Sequence, residues 1–148
     1  MADHSINIGD GHSDGVHTTA ERDRPRLTWQ EEFERCRPWI EAALEYSGGT
    51  HSVDDVRDLV QTQRAFLWPG KRSVVVTEFV VYPQFTACNY FLAGGDLDEL
   101  QDMEPTIAEW AKSLGCKHMM LHGRRGWANT FLRDLGYVPQ WVVMTKEL

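Results

Sequence analysis

The sequence has few cysteines, no long apolar run and no excess of basic residues, and each absence excludes a class of protein. The three cysteines, Cys36, Cys88 and Cys116, form no CxxC motif, which indicates free thiols in a reducing compartment. No apolar run approaches the roughly 18 residues that a membrane-spanning helix needs. The first residues show no basic segment followed by an apolar one, the pattern of a secretory signal. The sequence therefore predicts no membrane partner.

The charge balance is acidic, with 15 Lys and Arg against 22 Asp and Glu, and a formal charge of −7 over 148 residues. A dedicated nucleic-acid binder usually has a basic surface, so nucleic acid is not the expected partner. Residues 117–148 differ, with five basic residues against two acidic ones. A basic C-terminal unit on an acidic body predicts a docking surface for a protein partner or for self-association.

The chain is expected to divide into an N-terminal arm, residues 1–26, and one folded domain, residues 27–148. The N-terminal arm has few large apolar residues and no helical or strand period, which predicts a flexible segment. Its histidines, His4, His12 and His17, are too widely spaced for a compact metal site, and no metal is predicted elsewhere. The whole chain is 42% hydrophobic and has six Trp, which is enough for the domain to form a core.

Three capping pairs mark the predicted helices. Thr28 with Glu31 begins an apolar periodic run to Leu44, which Pro38 should kink or split. Ser52 begins a second helix, and Asp96 with Glu99 begins a third. Proline should also break this third helix, or open its second half, at position 105.

Five β-rich segments predict strands, and the last two flank a short helix. Hairpin signals separate the first three, and a strand, a Gly-Arg-Arg-Gly loop, a helix Trp127–Leu135 closed by Gly136 and a final strand follow. The predicted fold is α/β, in the α+β sense of a mixed sheet with helices on both faces. The strands are Ala65–Trp68, Arg72–Tyr82, Phe85–Ala93, Lys117–His122 and Gln140–Lys146.

This element order, with a late helix of sequence WANTFLRDLGY, resembles the GCN5-related N-acetyltransferase (GNAT) family. The resemblance covers roughly residues 28–148 and includes the closing triplet Leu135-Gly136-Tyr137. It implies a GNAT-like fold. It also implies that acetyl-CoA, if bound, would hold its pyrophosphate on backbone amides between a central strand and the next helix.

That loop lacks the family pattern here. Ala93, Gly94 and Gly95 are its candidate cofactor-binding residues, but the acidic Asp96 follows, and Asp98 and Glu99 come next. We expect these three carboxylates to crowd the helix start and repel a diphosphate. The loop at 123–128, Gly-Arg-Arg-Gly-Trp-Ala, resembles the cofactor loop displaced along the chain. A basic turn in solvent, or one that meets an acidic partner, is the alternative interpretation of it.

The proton donor that the family places on its last helix is also missing, because Leu132 occupies that position. Tyr137 belongs to the closing triplet, where an aromatic ring packs against the sheet. If the chain is an enzyme, Glu78 is the candidate general base, acting from a strand through water. An outward-facing strand carboxylate is the alternative for Glu78.

These departures predict a catalytically degenerate GNAT-fold protein that works as an assembly or interaction module and needs no cofactor. The size, the element order and the missing loop resemble GNAT-like internal virion proteins of short-tailed phages. The resemblance implies the bacterial cytoplasm or a phage virion as the location. The expected docking residues are Arg124, Arg125 and Trp127. The alternative is an acetyl-CoA-dependent N-acetyltransferase with an atypical cofactor loop.

Overall fold

A computed structural model describes residues 26–148 of the chain, so the predicted N-terminal arm lies outside the described residues except for Arg26. Three α-helices, four strands and a short 3₁₀ helix follow one another there. They are α1 (Trp29–Leu44), α2 (Val53–Gln61), β1 (Phe66–Pro69), β2 (Ser73–Val81), β3 (Thr86–Gly95), α3 (Leu97–Ser113), β4 (His118–Leu121) and the 3₁₀ helix Arg125–Asn129.

The four strands form one mixed sheet in the order β1-β2-β3-β4. The pairs β1–β2 and β2–β3 are antiparallel, and β3–β4 is parallel across the α3 connection. A register shift between Val76 and Thr77 leaves one extra residue on β3. The mixed sheet and its helices confirm the predicted α/β class.

Helices cover both faces of this sheet, and each face has its own core. On one face α1 and α2 pack with Phe33, Ile40 and Leu67, all without solvent exposure. On the other face α3 buries Ile107 beside Trp68. Trp68 also donates a hydrogen bond from Nε1 to the hydroxyl oxygen of Thr77 at 2.9 Å, so this polar atom is satisfied inside the core.

The predicted helix caps are confirmed. Thr28 accepts a hydrogen bond from the Glu31 amide at 3.2 Å, and Ser52 forms a reciprocal capping box with Asp55. The expectation that proline would split α1 and break α3 is wrong, since both helices run on through Pro38 and Pro105. Both prolines are exposed, so the carbonyl groups that lose a helical partner face water.

The predicted α-helix over 127–135 is wrong. Only Arg125–Asn129 is helical, as a 3₁₀ helix, and turns follow to Gly136. Thr130 has an extended backbone, and its hydroxyl donates to the Trp127 carbonyl at 2.7 Å, which takes up an acceptor that an α-helix would use. Gly136 does adopt the predicted positive φ, +91°.

The predicted last strand, Gln140–Lys146, is also wrong, because these residues pair with no strand of the described chain. The segment is rich in β-formers but lies exposed on its own. Strand propensity forms a strand only where a neighbouring edge supplies the hydrogen bonds. None of the described helices is both long and apolar enough to cross a membrane.

Candidate functional site

The sheet opens where β3 extends beyond the end of its parallel neighbour β4. β4 pairs only with Ala87–Tyr90, so the rest of β3, Phe91–Gly95, has β2 as its single partner among the described strands. We call this place the β3–β4 opening. The predicted cofactor residues lie on it and lead directly into α3.

The two loop glycines are required by the packing of the chain on itself. A Cβ on Gly94 would lie 2.7 Å from the carbonyl oxygen of Trp39 in α1. Gly95 has φ +105°, and a Cβ there would overlap the Arg72 carbonyl oxygen. Ala93 is half-buried in the core on the α3 face. The absence of a side chain at Gly94 and Gly95 therefore lets α1 and the β1–β2 turn pack closely against this loop. The two glycines are explained without a ligand.

The first turn of α3 is closed by its own cap. The Asp96 carboxylate accepts a hydrogen bond from the backbone amide of Glu99 at 3.0 Å. It also pairs with Arg72 Nε at 3.2 Å. The bond from the Glu99 amide, followed by that from Arg72, holds the pKa of Asp96 below its usual value. Free helix-start amides attract anions, and here a fixed carboxylate already occupies one of them.

Glu99 does not crowd the helix start, contrary to the expectation from the sequence. Its carboxylate turns toward the β1–β2 turn and accepts from the amides of Lys71, at 3.2 Å, and Arg72, at 2.8 Å. The Ser73 hydroxyl donates to the same carboxylate. Glu99 thus ties α3 to the sheet, while Asp98 is exposed. The negative charge at the start of α3 therefore includes Glu99, with its carboxylate turned toward the β1–β2 turn, beside Asp96 and Asp98.

The predicted docking residues lie on the far side of the opening, after β4. The Arg124 guanidinium lies over the Tyr46 ring, 3.7 Å from its centroid, which joins this turn to the end of α1. Arg125 is exposed, and Trp127 packs partly into the core on the α3 face. A surface depression of about 440 Å³ separates Arg124 and Trp127 from Leu97 at the start of α3.

Glu78, the candidate base, lies on β2 directly opposite Asn89 of β3. Asn89 is buried and donates from Nδ2 to the Glu78 carboxylate at 2.9 Å. Its Oδ1 has no hydrogen-bond partner, the single such buried side-chain atom in the part of the chain that the structure describes. Glu78 is half-buried and bound to Asn89, so it is not a fully solvent-facing carboxylate as the alternative interpretation expected. A buried acceptor beside a carboxylate could receive a donor group.

A second cluster of titratable side chains, Glu104, Tyr137 and Tyr90, was not predicted from the sequence. Glu104 on α3 is buried and accepts from the Tyr137 hydroxyl at 3.2 Å, and the Tyr90 hydroxyl lies 3.5 Å from that of Tyr137. Burial raises the pKa of Glu104, and it raises the pKa of both tyrosines well above their ordinary value. The sequence signal for this cluster is Glu104 itself, a glutamate on the apolar face of α3, which indicates a buried carboxylate. Leu132, at the family's proton-donor position, is buried in a turn.

Metal coordination finds no support among residues 26–148, where no group of three His, Cys, Asp or Glu side chains could hold an ion. The ring of His118, on β4, packs against the ring of Phe85, with the centroids 4.5 Å apart.

Comparison with solved structures identifies the fold. The protein TTHA1254 of Thermus thermophilus superposes with a TM-score of 0.53 at 16% identity, over 84% of this chain and 95% of that one. A GNAT family acetyltransferase of Staphylococcus aureus gives 0.52 at 14% identity, over 79% and 92%. A possible acetyltransferase of Clostridium difficile 630 gives 0.51 at 9% identity, over 79% and 91%.

The fold is GNAT-like. This confirms the predicted fold class, and at such low identity the likeness concerns the fold alone. No protein-family model matches the sequence, and no curated protein matches it either. The residues of the β3–β4 opening therefore have to be judged by their own chemistry.

Proposed function

We propose that this GNAT-fold chain acts as an assembly or interaction module and does not transfer acetyl groups. The closed start of α3 supports this proposal. In the family that the sequence resembles, the corresponding amides hold the pyrophosphate of acetyl-CoA. Here the Asp96 carboxylate accepts from one of them, the Glu99 amide, and Arg72 fixes it in place. A diphosphate would have to displace a carboxylate whose negative charge repels it.

The proton-transfer groups give a second line of support. Leu132 cannot donate a proton, and the Tyr137 hydroxyl already donates to Glu104. A tyrosine committed to a buried carboxylate is not free to protonate a departing thiolate. The cluster therefore fits a structural link between α3 and the C-terminal turn.

The location of this module belongs to the same proposal. The resemblance to GNAT-like phage proteins favours a component of a tailed-phage or prophage virion, made in the bacterial cytoplasm. The docking face would comprise the turn at Arg124 and Arg125 with Trp127. Arg125 and Arg124 are exposed, and the basic charge of residues 117–148 suits an acidic protein partner.

Titration with acetyl-CoA tests the proposal against the enzymatic alternative. Ligand at 100 times its dissociation constant would raise the free energy of unfolding by about 2.7 kcal/mol. We expect no change in melting temperature at 1 mM acetyl-CoA, measured by Trp fluorescence. A saturable increase with a micromolar dissociation constant would overturn the proposal.

A matched pair of variants tests the closing group itself. Asp96→Gly removes one charge and frees the Glu99 amide, whereas Asp98→Gly removes one charge and frees no amide. If Asp96 is what closes the site, only Asp96→Gly gains affinity for acetyl-CoA or for inorganic diphosphate. Equal gains for both variants would mean that net charge, and not the cap, excludes the anion.

One observation favours the alternative, an acetyl-CoA-dependent N-acetyltransferase. The Oδ1 of Asn89 has no hydrogen-bond partner and lies beside the Glu78 carboxylate. An acceptor amine could donate to this oxygen while Glu78 acts as the general base. Acetyl transfer to a panel of amines that is lost in Glu78→Gln, with the fold intact, would support this alternative.

A further inference from the structure

The surface depression between the start of α3 and the turn after β4, which we call the Arg124 depression, combines apolar walls with a single cation. Its volume is about 440 Å³, and the described residues that line it are Leu97, Arg124, Gly126, Trp127 and Thr130. Leu97 is 46% exposed although it is a large apolar residue, and Trp127 is half-buried. Arg124 is the only charged residue of the five. Apolar walls with one convergent charged group are typical of a ligand site.

The Arg124 guanidinium is oriented by a ring and has no anion to bind. Its carbon lies 3.7 Å from the centroid of the Tyr46 ring. A guanidinium that lies over a ring keeps its N–H donors, which point outward in its own plane. No described residue accepts a hydrogen bond from the Arg124 side chain or forms an ion pair with it. Four other arginines each pair with a carboxylate: Arg35, Arg37, Arg57 and Arg72.

The surroundings of Arg124 favour a carboxylate over a phosphate. A carboxylate accepts two parallel hydrogen bonds from the edge of a guanidinium and carries one negative charge. Asp96 and Asp98 flank Leu97 in the sequence at the start of α3, and their repulsion increases with the charge of a ligand. A diphosphate carries more negative charge than a carboxylate, so these two residues repel it more strongly. The exposed part of Leu97 in turn favours an apolar group next to the carboxylate.

We infer that the Arg124 depression docks a segment of a protein partner in which an aspartate or glutamate lies next to a large apolar side chain. The carboxylate accepts hydrogen bonds from Arg124, and the apolar side chain covers Leu97 and Trp127. Charge complementarity favours this partner, because residues 117–148 contain five basic residues against two acidic ones. The inference rests on the proposed function, since it states which chemistry of the partner the docking face recognises.

Three capped peptides test the recognition: acetyl-Leu-Glu-Leu-amide, acetyl-Leu-Gln-Leu-amide and acetyl-Gly-Glu-Gly-amide. The signal is the indole N–H of Trp127 in the NMR spectrum of the full chain, assigned with Trp127→Phe. We expect a saturable shift with the first peptide, at a dissociation constant in the millimolar range, and weaker binding of the other two. No binding of the first peptide at 10 mM, or equal affinity for all three, would overturn the inference.

Matched variants show whether Arg124 itself receives the carboxylate. Arg124→Gln should weaken binding of the Leu-Glu-Leu peptide by about fivefold, the upper range for an exposed ion pair. Arg125→Gln removes the same charge at an exposed neighbour that does not line the depression, and it should leave the affinity unchanged. Equal losses for the two variants would mean that net charge attracts the peptide, and would overturn the inference.

A second pair of variants tests the orientation of the guanidinium by the ring. Tyr46→Phe keeps the ring under Arg124 and should bind the peptide as the wild type does, whereas Tyr46→Leu removes it and should bind more weakly. Tyr46 is 61% exposed, so both variants should keep the fold, which melting temperatures check. Equal affinity for Tyr46→Leu and Tyr46→Phe would contradict the role of the ring.

Inorganic diphosphate is the competing anion. We expect it to displace the Leu-Glu-Leu peptide only weakly, and a diphosphate that binds more tightly than the peptide and is lost in Arg124→Gln would overturn the inference. The two proposals fail separately. A chain that ignores both the peptide and acetyl-CoA contradicts this inference alone. A chain that binds the peptide and also melts at a higher temperature with acetyl-CoA contradicts the proposed function alone.

Discussion

The part of the chain from α1 through α3 buries most of its large apolar residues, whereas the part from β4 onward buries only a few and leaves those of residues 138–148 exposed. The first part buries Phe33, Leu67 and Trp68 between the sheet and its helices. The second part leaves Trp141 and Met144 in water. Both parts are rich in apolar residues, so composition alone does not distinguish them. The difference shows that the core is built mainly from the first part, with Leu132 and Trp127 added from the second, while residues 138–148 leave apolar surface available for contacts.

Two tryptophans give the sharpest way to break this comparison. Trp68→Ala removes a buried ring and the donor to Thr77, and we expect a loss of about 3–5 kcal/mol in the free energy of unfolding. Trp141→Ala removes an exposed ring, and we expect a change within about 0.5 kcal/mol. Urea denaturation at submicromolar concentration measures both. Similar losses for the two variants would mean that residues 138–148 belong to the folded core.

Two glycines, Gly94 in the first part and Gly126 in the second, differ in the same way in how closely the backbone around them is packed. Alanine at Gly94 places its Cβ 2.7 Å from the Trp39 carbonyl oxygen, so α1 has to shift, and we expect a loss of about 1–3 kcal/mol. Alanine at Gly126, in the 3₁₀ helix, meets no atom within 4 Å. We expect that change to be neutral within about 0.5 kcal/mol. Thermal unfolding of the two variants checks this, and a neutral Gly94→Ala would show that α1 yields easily.

Much of the first part could be predicted from the sequence because its signals are local. The caps at Thr28 and Ser52 act within three residues, and the hairpin turns follow directly from Pro-Gly and Pro-Gln. The prediction for Glu99 was incomplete because its backbone partners Lys71 and Arg72 lie 28 and 27 residues away. No local pattern indicates contacts of that range.

The second part was predicted less well because its local signals lack a tertiary partner. Gln140–Lys146 has the composition of a strand, and the described chain offers it no neighbour. The Glu104 cluster was missed for a related reason. A glutamate on an apolar helical stripe indicates a buried carboxylate, but its donor, Tyr137, is 33 residues away. Function was harder still, because two glycines before a helix fit both a phosphate loop and tight packing.

The smallest expected effect concerns the cap that closes α3, and pH reveals it. Hydrogen bonds hold the pKa of Asp96 below its usual value of 3.8. A lowered pKa in the folded state means that the carboxylate stabilises the fold above the unfolded pKa. This contribution is lost as the pH falls through the lower pKa of the folded state. Asp96→Asn should keep the cap, because asparagine also caps helices, and lose the pH dependence.

We therefore expect the free energy of unfolding to fall less steeply from pH 5 to pH 2 in Asp96→Asn than in the wild type, with the two curves converging at the acid end. Asp102→Asn is the matched control, an exposed position later in α3, and should follow the wild type. Asp55 at the start of α2 also has a lowered pKa, so part of the acid sensitivity remains in every variant. Urea titrations across the pH range measure the slopes. Parallel curves for Asp96→Asn and the wild type would show that the carboxylate adds nothing to its neutral equivalent, and the charge at the start of α3 would then have no structural role.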